Sequence, residues 1–226
     1  MALSLRLHAV LDLVKGSEVL ADIGTDHAYL PIEAVEIGFC KRAIACDINK
    51  GPLEIAAANI QLARTSCQLE TRLGDGLKPL NNNEADCIVI SGMGGMRIWS
   101  ILQTEPSKAK FAKKLILQPQ HDLEELRRSL HCAGYEINTE KLVCEDSRFY
   151  VILLAAYTGN ITTWTEQEYF LGKHLQDSPY FLLYLEHLKN KIARYIQLIN
   201  DENTRQLAEM HMRWIQDKSN SSAHLV

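Results

Sequence analysis

The chain lacks the paired cysteines and spaced histidines that metal sites and disulfide scaffolds use. Its six cysteines include no C-x-x-C pair, and its eight histidines show no spacing typical of a metal site. Several cysteines lie inside apolar runs, where reduced cysteine behaves as a small hydrophobic residue. These absences predict a protein without a metal ion or a structural disulfide, in a reducing, cytoplasmic compartment.

An excess of positive charge and a long apolar segment are also absent. The formal net charge is −4 at pH 7, which argues mildly against a nucleic-acid partner unless a local basic patch outweighs it. The stretch 1–14 is apolar but carries Arg6, His8 and Asp12, so it predicts an amphipathic helix rather than a signal peptide or a membrane span. With 226 residues, 46% of them hydrophobic, the chain can bury one sizeable core, and we expect no membrane contact.

Short β-like runs alternate with helical patterns along the first two thirds of the chain, which predicts repeated βαβ units. Asp122 and Glu125 predict a capping box at the start of a helix that Gly134 closes. The runs Tyr135–Cys144 and Phe149–Tyr157 leave no room for a helix between them and predict an antiparallel pair. Five runs, each expected to precede a helix, come earlier: Val19–Ile23, Ala43–Ile48, Leu69–Leu73, the run from Cys87, and Leu115–Pro119.

An acidic turn follows the first apolar run. The dinucleotide fingerprint G-x-G-x-x-G is missing, because Gly24 is followed by Thr25, Asp26 and His27. A glycine at this point lets the backbone approach a nucleotide closely. Acidic residues here would repel a pyrophosphate, but they suit a cofactor with an ammonium and a sulfonium charge. S-adenosylmethionine is such a cofactor.

Polar residues or glycines end four of the five runs, where ligands of open α/β sheets bind. Asp47 suits the two hydroxyls of a ribose, and Asp75 suits an adenine amino group. For any one aspartate alone, capping of the next helix or turn is the simpler interpretation. Their recurrence at successive strand ends favours a nucleoside pocket. The predicted cofactor-binding residues are Asp22, Gly24, Thr25, Asp47, Ile48, Asp75, Gly76, Gly92 and Met93.

The sequence changes character near Thr163 and becomes typical of helices. We expect a catalytic domain over 1–160, a helical hairpin over 161–218 and a disordered tail over 219–226. Asn203 and Gln206 predict a helix start after a polar break. The apolar residues have the spacing of a coiled-coil seam: Leu185, Leu188, Ile192, Tyr195 and Ile199, then Leu207, Met210 and Trp214.

Seven segments carry recognisable motifs in a fixed order: Ala21–Pro31, Gly51–Leu53, Gly74–Leu77, Gly92–Gly95, Leu115–Pro119, Glu140–Glu145 and Phe149–Tyr150. The combination of D-H-A-Y-L-P with G-M-G-G is highly specific. Over about residues 3–157 these motifs resemble those of the bacterial tRNA (adenine-22-N1)-methyltransferase family. The resemblance implies a class I methyltransferase with a Rossmann-like sheet that moves a methyl group from S-adenosylmethionine to N1 of adenosine 22 in tRNA.

Methylation of adenine N1 needs no strong base, because the nitrogen has an available lone pair. The N-P-P-Y motif of exocyclic-amino methyltransferases is absent, and Ser91–Gly95 stands in its place. Asp26 is the candidate catalytic residue, which would stabilise the cationic product. The alternative is that Asp26 caps the helix beginning near Ala28. We expect His27 to be structural.

The predicted substrate-binding residues are Tyr29, Gly94, Gly95, Arg97, Gln118 and Arg148. For Tyr29 a place in the core is the favoured interpretation over stacking on adenine. Gln118 is equally the plain end of a strand. Arg6 is the next basic candidate if the N-terminal helix borders the pocket, and Arg127 lies among further candidates for phosphate contact. The resemblance implies tRNA contact by the C-terminal helices, and we expect a monomer. Two alternative hypotheses for the function are a class I methyltransferase that acts on another RNA or a small molecule, and a non-catalytic module that binds a nucleoside.

Overall fold

A seven-stranded sheet organises the N-terminal part of the computed structural model, which describes residues 3–223 and the side chains of 3–221. The strand order is β3-β2-β1-β4-β5-β7-β6. The first five strands are parallel, and β7 runs antiparallel to both β5 and β6. The predicted class I methyltransferase sheet with a closing hairpin is confirmed. The strands are β1 (Ser17–Ile23), β2 (Cys40–Asp47), β3 (Leu69–Leu73), β4 (Cys87–Met93), β5 (Lys114–Pro119), β6 (Tyr135–Glu145) and β7 (Arg148–Tyr157).

Helices cover both faces of this sheet, so its central strands are apolar on both sides. Successive residues of β4 illustrate this, since Ile88 and Val89 are both fully buried and point to opposite faces. The first three helices contact one another along one side, and the next three form a second connected group. The helices are α1 (Leu5–Val14), α2 (Tyr29–Glu36), α3 (Lys50–Leu62), α4 (Gly95–Thr104), α5 (Pro106–Phe111) and α6 (Leu123–Cys132).

Two connections differ from the predicted run of five βα repeats. No helix joins β3 to β4, where turns and irregular backbone occupy residues 74–86. This segment contains Gly74, Gly76 and three consecutive asparagines from Asn81, residues that favour turns over helix. After β4 the chain instead forms two helices, because Pro106 starts α5 directly after α4.

The start of α6 also differs from the expectation. Asp122 has a left-handed backbone conformation and makes no side-chain capping bond to the helix. Its carboxylate lies 2.8 Å from Nδ1 of the preceding His121 instead. At the other end Gly134 has a φ of +81° and follows the helix directly, so its predicted role in ending α6 is confirmed.

The described residues from Trp164 onward form a second compact unit, while the first unit extends to Thr163. Its described helices are α7 (Glu166–Leu171), α8 (Phe181–Ile196) and α9 (Glu202–Ala223), and α8 packs against α9. Among the described helices of the chain, none is both long and apolar enough to span a membrane.

The seam predicted for α8 and α9 is wrong at two positions. Tyr195 and Leu207 are about half exposed, whereas Ala208 and Ile215 are buried. The helix start is shifted as well, because Asp201 rather than Asn203 accepts the hydrogen bond from the Thr204 amide. Helix α9 continues to Ala223, so residues 219–223 of the expected disordered tail are helical. Residues 224–226 lie outside the described part of the chain.

Arg127 is not a surface residue, contrary to its place among the candidates for phosphate contact. Its side chain on α6 is fully buried, and its Nε donates to Oε1 of the buried Glu140 on β6 at 2.8 Å. A buried ion pair is costly to break, because removing one partner leaves the other charge desolvated. The pair therefore fixes α6 against the hairpin.

We predict that Arg127→Leu lowers the free energy of unfolding by about 3–5 kcal/mol, since Glu140 would keep a buried, uncompensated charge. The matched control is Arg128→Leu on the same helix, whose partly exposed ion pair with Glu124 should contribute about 1 kcal/mol or less. Urea denaturation of both variants measures the difference. Equal losses would contradict a special role for the buried pair.

Candidate active site

A cavity of about 210 Å³ opens at the carboxyl end of β1. The position follows from the topology, because β1 lies between β2 and β4, where the strand order reverses, and ligands of open α/β sheets bind at such a point. Two helices, two strands and a loop contribute to its lining. They are α1 with Arg6 and Leu7, β1 with Asp22, the loop that joins β1 to α2, the start of α2, and β4 with Ser91.

Asp22 is the buried carboxylate of this cavity. Burial raises the pKa of Asp22 from 3.8 to about 6; a hydrogen bond with the Thr25 side chain opposes the rise, and the nearby negative charge of Asp47 adds to it. The loop that carries Thr25 is tied to β2, because the Gly24 and Thr25 amides both donate to the Cys46 carbonyl at 2.8 and 3.0 Å. A desolvated anion of this kind is stabilised by a cationic ligand.

The backbone of Gly24 favours glycine, because its φ of +77° is strained for other residues. A Cβ atom here would also meet the methyl end of the Met93 side chain, which would have to shift. Met93 thus packs directly over the turn that follows β1. The two predicted cofactor-binding residues Gly24 and Met93 are brought together.

The Gly94–Gly95 pair lies against the segment that follows β5. A Cβ on Gly94 would overlap the His121 ring, and one on Gly95 would overlap the Asp122 carbonyl oxygen. The Gly95 amide donates to the His121 carbonyl at 2.9 Å, and the Gln120 amide donates to the Met93 carbonyl at 2.8 Å. Contact between the two segments therefore explains these glycines, which the sequence predicted to bind substrate. No sequence signal pointed to His121, since only the fold brings it to Gly94.

Asp26 does not cap a helix. Helix α2 begins after Ala28, whose backbone is left-handed, and no side chain caps it. The Asp26 side chain is 75% exposed, and its carboxylate lies 3.1 Å from Nε2 of His27. The alternative role as a helix cap is therefore not what the structure shows, and the carboxylate lines the cavity.

His27 and Tyr29 form a ring pair on the same wall of the cavity. Their ring centroids are 5.1 Å apart with an angle of 25° between the planes. His27 Nδ1 is buried and has no hydrogen-bond partner within the described residues. Tyr29 packs against the core and also lines the cavity, so both interpretations of this residue apply.

Asp47 is the last residue of β2, and Ile48 follows it, beside the loop that joins β1 to α2. The Asn49 amide donates to Oδ1 of Asp47 at 2.6 Å, which leaves Oδ2 without a partner in the described part of the chain. Ile48 is 55% exposed. A free carboxylate oxygen and an exposed apolar side chain are thus available at this strand end.

Asp75 lies beyond β3 in a cluster of charges. Its Oδ2 accepts from Lys78 Nζ at 2.9 Å, and its Oδ1 lies 3.5 Å from Arg97 Nη2. The hydrogen bond from Lys78 holds the pKa of Asp75 below its usual range. Arg97, expected to contact substrate, therefore faces Asp75. Gly76 lies over Ile101 of α4.

Gln118 is fully buried, so its amide does not extend toward a substrate as expected. Its Oε1 accepts from Arg6 Nη1 at 2.8 Å, from Ser91 Oγ at 3.2 Å and from the Gly92 amide at 3.2 Å, while its Nε2 donates to the Pro119 carbonyl. The residue instead holds Arg6 at the cavity. Arg148 is exposed at the start of β7 and does not line the cavity.

Comparison with known proteins identifies the family and the fold. A family model described as a methyltransferase domain matches residues 3–153. The tRNA (adenine(22)-N(1))-methyltransferase of Bacillus subtilis (strain 168) is 37% identical over 153 residues, which cover 68% of this chain and 64% of that protein. The crystal structure of Streptococcus pneumoniae Sp1610, a putative tRNA (m1A22) methyltransferase, is 30% identical, with a TM-score of 0.89 over 96% of this chain and all of that one.

The chain belongs to this family of tRNA (adenine-22-N1)-methyltransferases. A second structure of the Streptococcus pneumoniae protein holds S-adenosyl-L-methionine; it is 30% identical, with a TM-score of 0.87 over 96% of this chain and all of that one. The alignment spans less than two thirds of the Bacillus subtilis protein's own length.

We predict that Asp22→Asn stabilises the free protein at pH 7.5. Because the carboxyl has a pKa of 3.8 when unfolded and about 6 when folded, the folded state loses stability as the pH rises between these values. The variant should therefore gain about 1–3 kcal/mol above about pH 6, and the gain should vanish below about pH 4. Thermal melts across this range measure it, with the exposed Asp26→Asn as control. An Asp22→Asn variant less stable than wild type at pH 7.5 would contradict the desolvation.

Proposed function

We propose that this protein transfers the methyl group of S-adenosylmethionine to N1 of adenosine 22 in tRNA. The observation that carries the proposal is the buried Asp22 carboxylate in an acidic cavity at the switch point of a methyltransferase sheet. Membership in the tRNA (adenine-22-N1)-methyltransferase family supports the choice of substrate. The cavity favours a cationic cofactor, since β1 contributes the Asp22 carboxylate, and the β1–α2 loop contributes Asp26 and no lysine or arginine.

The residues present fit such a cofactor. Asp22 would stabilise its positive charges, and Gly24 lets the backbone come close to it. The unpaired Oδ2 of Asp47 suits a ribose hydroxyl. Asp75 keeps acceptor capacity for the adenine amino group, because each of its oxygens has two lone pairs and one partner. When bound, the cofactor supplies the methyl group.

The protein's own residues would act on the target base by aligning it and by stabilising its positive charge. Adenine N1 attacks the methyl group with its lone pair, so alignment matters more than proton removal. The product base is cationic, and the Asp26 carboxylate would stabilise that charge once the base excludes water from the cavity. We assign the His27–Tyr29 ring pair to the same wall, with His27 orienting Asp26 through the 3.1 Å contact.

The substrate is tested by methylation of tRNA transcripts with labelled S-adenosylmethionine. We expect the label in 1-methyladenosine at position 22, and a transcript with guanosine 22 should accept almost none. Label at another nucleoside, or in another RNA or a small molecule only, would reject the assignment of the substrate while keeping the methyltransferase.

Asp26→Asn tests the catalytic assignment. We predict a single-turnover rate about 10- to 100-fold lower, since a charge that stabilises the developing cation is lost. S-adenosylhomocysteine affinity and the melting temperature should change little, because the side chain is exposed and caps no helix. His8→Asn, an exposed change on α1, is the control. A wild-type rate in Asp26→Asn would remove Asp26 from the mechanism.

We further propose that the unit of α7, α8 and α9 helps to hold tRNA, together with the exposed Arg148 and with Arg97. Exposed cations along α8 support this role, among them Lys189, Lys191 and Arg194. The six cysteines are all unpaired, which supports a reducing, cytoplasmic compartment, and we propose a monomer.

A further inference from the structure

A second cavity, of about 310 Å³, shares no lining residue with the first among the described residues. Helix α4 contributes Trp99, Leu102 and Gln103 to it, α5 contributes Lys110, and β6 contributes its first residue, Tyr135. The three residues of α4 lie on one face of the helix, because residues three and four apart are neighbours. Strand β6 runs parallel to β5, since both are antiparallel to β7. Tyr135 therefore lies at the edge of the sheet opposite the carboxyl end of β1, and we name this space the α4–β6 cavity.

The wall of the α4–β6 cavity includes a tyrosine hydroxyl without a partner. Tyr135 is 2% exposed, and its ring packs edge-on against the Tyr157 ring, with 5.3 Å between the centroids. Its hydroxyl has no hydrogen-bond partner within the described residues. Burial raises the pKa of Tyr135 to about 12, so the hydroxyl keeps its proton at neutral pH and can donate. A buried polar group is unfavourable until it is hydrogen-bonded, which makes this hydroxyl available to a ligand.

Lys110 brings an uncompensated positive charge to the same cavity. Its Nζ lies 4.6 Å from the centroid of the Tyr157 ring, and Lys110 forms no ion pair within the described part of the chain. None of the described lining residues is acidic. Glu136 follows Tyr135 on β6, so its side chain points to the opposite face of the strand. An anionic group is therefore complementary to the cavity.

An indole ring and apolar side chains form the rest of the wall. Trp99 is half-buried, and among the described residues its ring meets no other ring and its N–H has no acceptor. Leu102 is almost fully buried, and Pro106 and Ala133 add apolar surface. Walls of this kind with a few polar groups are typical of small-molecule sites, whose volumes begin at about 300 Å³.

We propose that the α4–β6 cavity binds a small aromatic carboxylate. The ring of the ligand lies against the Trp99 indole, and its carboxylate accepts hydrogen bonds from Lys110 Nζ and from the Tyr135 hydroxyl. A free molecule is favoured over a nucleotide of RNA, because Lys110 is the one cation among the described lining residues, whereas a phosphate backbone is held by several. The inference is independent of the proposed function, since neither the cofactor nor the target adenosine takes part in it.

Two molecules of the same shape test the charge of the ligand. The probe is 2-naphthoate, a two-ring aromatic carboxylate, and 2-naphthamide is its neutral counterpart. In isotope-labelled full-length protein, 2-naphthoate should shift the indole N–H signal of Trp99, which Trp99→Phe identifies, and leave those of Trp164 and Trp214 in place. Titration of this signal should show that 2-naphthoate binds about tenfold more tightly than 2-naphthamide, the scale of a charge-assisted hydrogen bond.

Three variants assign the contacts. Lys110→Met should weaken 2-naphthoate binding about 5- to 10-fold and change that of 2-naphthamide less than about twofold, because only the charge is lost. Tyr135→Phe keeps the buried ring and should weaken 2-naphthoate about three- to tenfold. Lys113→Met is the charge-matched control, since Lys113 is exposed and does not line the cavity, and it should change neither affinity. Unchanged amide signals away from the cavity show that each variant is folded.

Three results would overturn the inference. The first is a Trp99 signal that does not move at millimolar 2-naphthoate. The second is equal affinity for 2-naphthoate and 2-naphthamide, or an affinity for 2-naphthoate that Lys110→Met leaves unchanged, which would reduce the site to an apolar cavity. The third is displacement of 2-naphthoate by a tRNA transcript whose binding is weaker in Lys110→Met, which would assign the cavity to the RNA instead.

Discussion

The site depends on the burial of one carboxylate, Asp22, at the point where the strand order reverses. Taking a charge out of water is unfavourable unless a hydrogen bond or an opposite charge compensates. In the described residues the Thr25 side chain gives only part of this compensation, and the pKa of Asp22 rises to about 6. A cationic ligand would supply further compensation, which is why we propose a cationic cofactor for the cavity. The buried Asp22 carboxylate thus lowers the stability of the free protein, and in return it favours the binding of a cation.

Close contacts between strand ends set the shape of the cavity. Gly24 lies under the methyl end of Met93, and Gly94 lies under the His121 ring. Gln118 joins three elements, because its amide oxygen accepts from α1 and from two positions of β4. A glycine or amide at these positions therefore acts on the cofactor indirectly, by fixing the backbone and the Arg6 side chain around it. Substitutions here should disturb several walls of the cavity at once.

The fold was largely predictable because buried parallel strands have a simple pattern. The apolar run Leu115–Pro119 matched all of β5 except its first residue, and Gly134 ended α6 as expected. Predictions from the local sequence failed where one residue type suits two different structural roles. An aspartate before a helix suggests a cap, yet Asp122 bonds His121 and Asp26 caps nothing. The helix expected between β3 and β4 does not form, and the local signal against it was the set of turn-forming residues Gly74, Gly76 and the three asparagines from Asn81.

The direction of the side chains at strand ends could not be predicted from the local sequence either. Gln118 and Ser91 are both polar residues near the end of a strand, and their register, Ser91 opposite Gln118, decides that they bond each other. Arg6 precedes the nearest of these residues by 85 positions, so no spacing rule connects them. Contacts between distant segments account for the residues that sequence analysis placed wrongly or missed, including His121.

The pH dependence of cofactor affinity tests the central claim most directly. Calorimetry of wild-type protein with S-adenosylhomocysteine between pH 5 and 8 should show constant affinity above about pH 7 and about a tenfold loss per pH unit below 6, because the cofactor's ammonium group needs Asp22 ionised. Asp22→Asn should bind weakly and without this dependence. An affinity in wild type that stays flat across the whole range, and equals that of Asp22→Asn, would contradict the account.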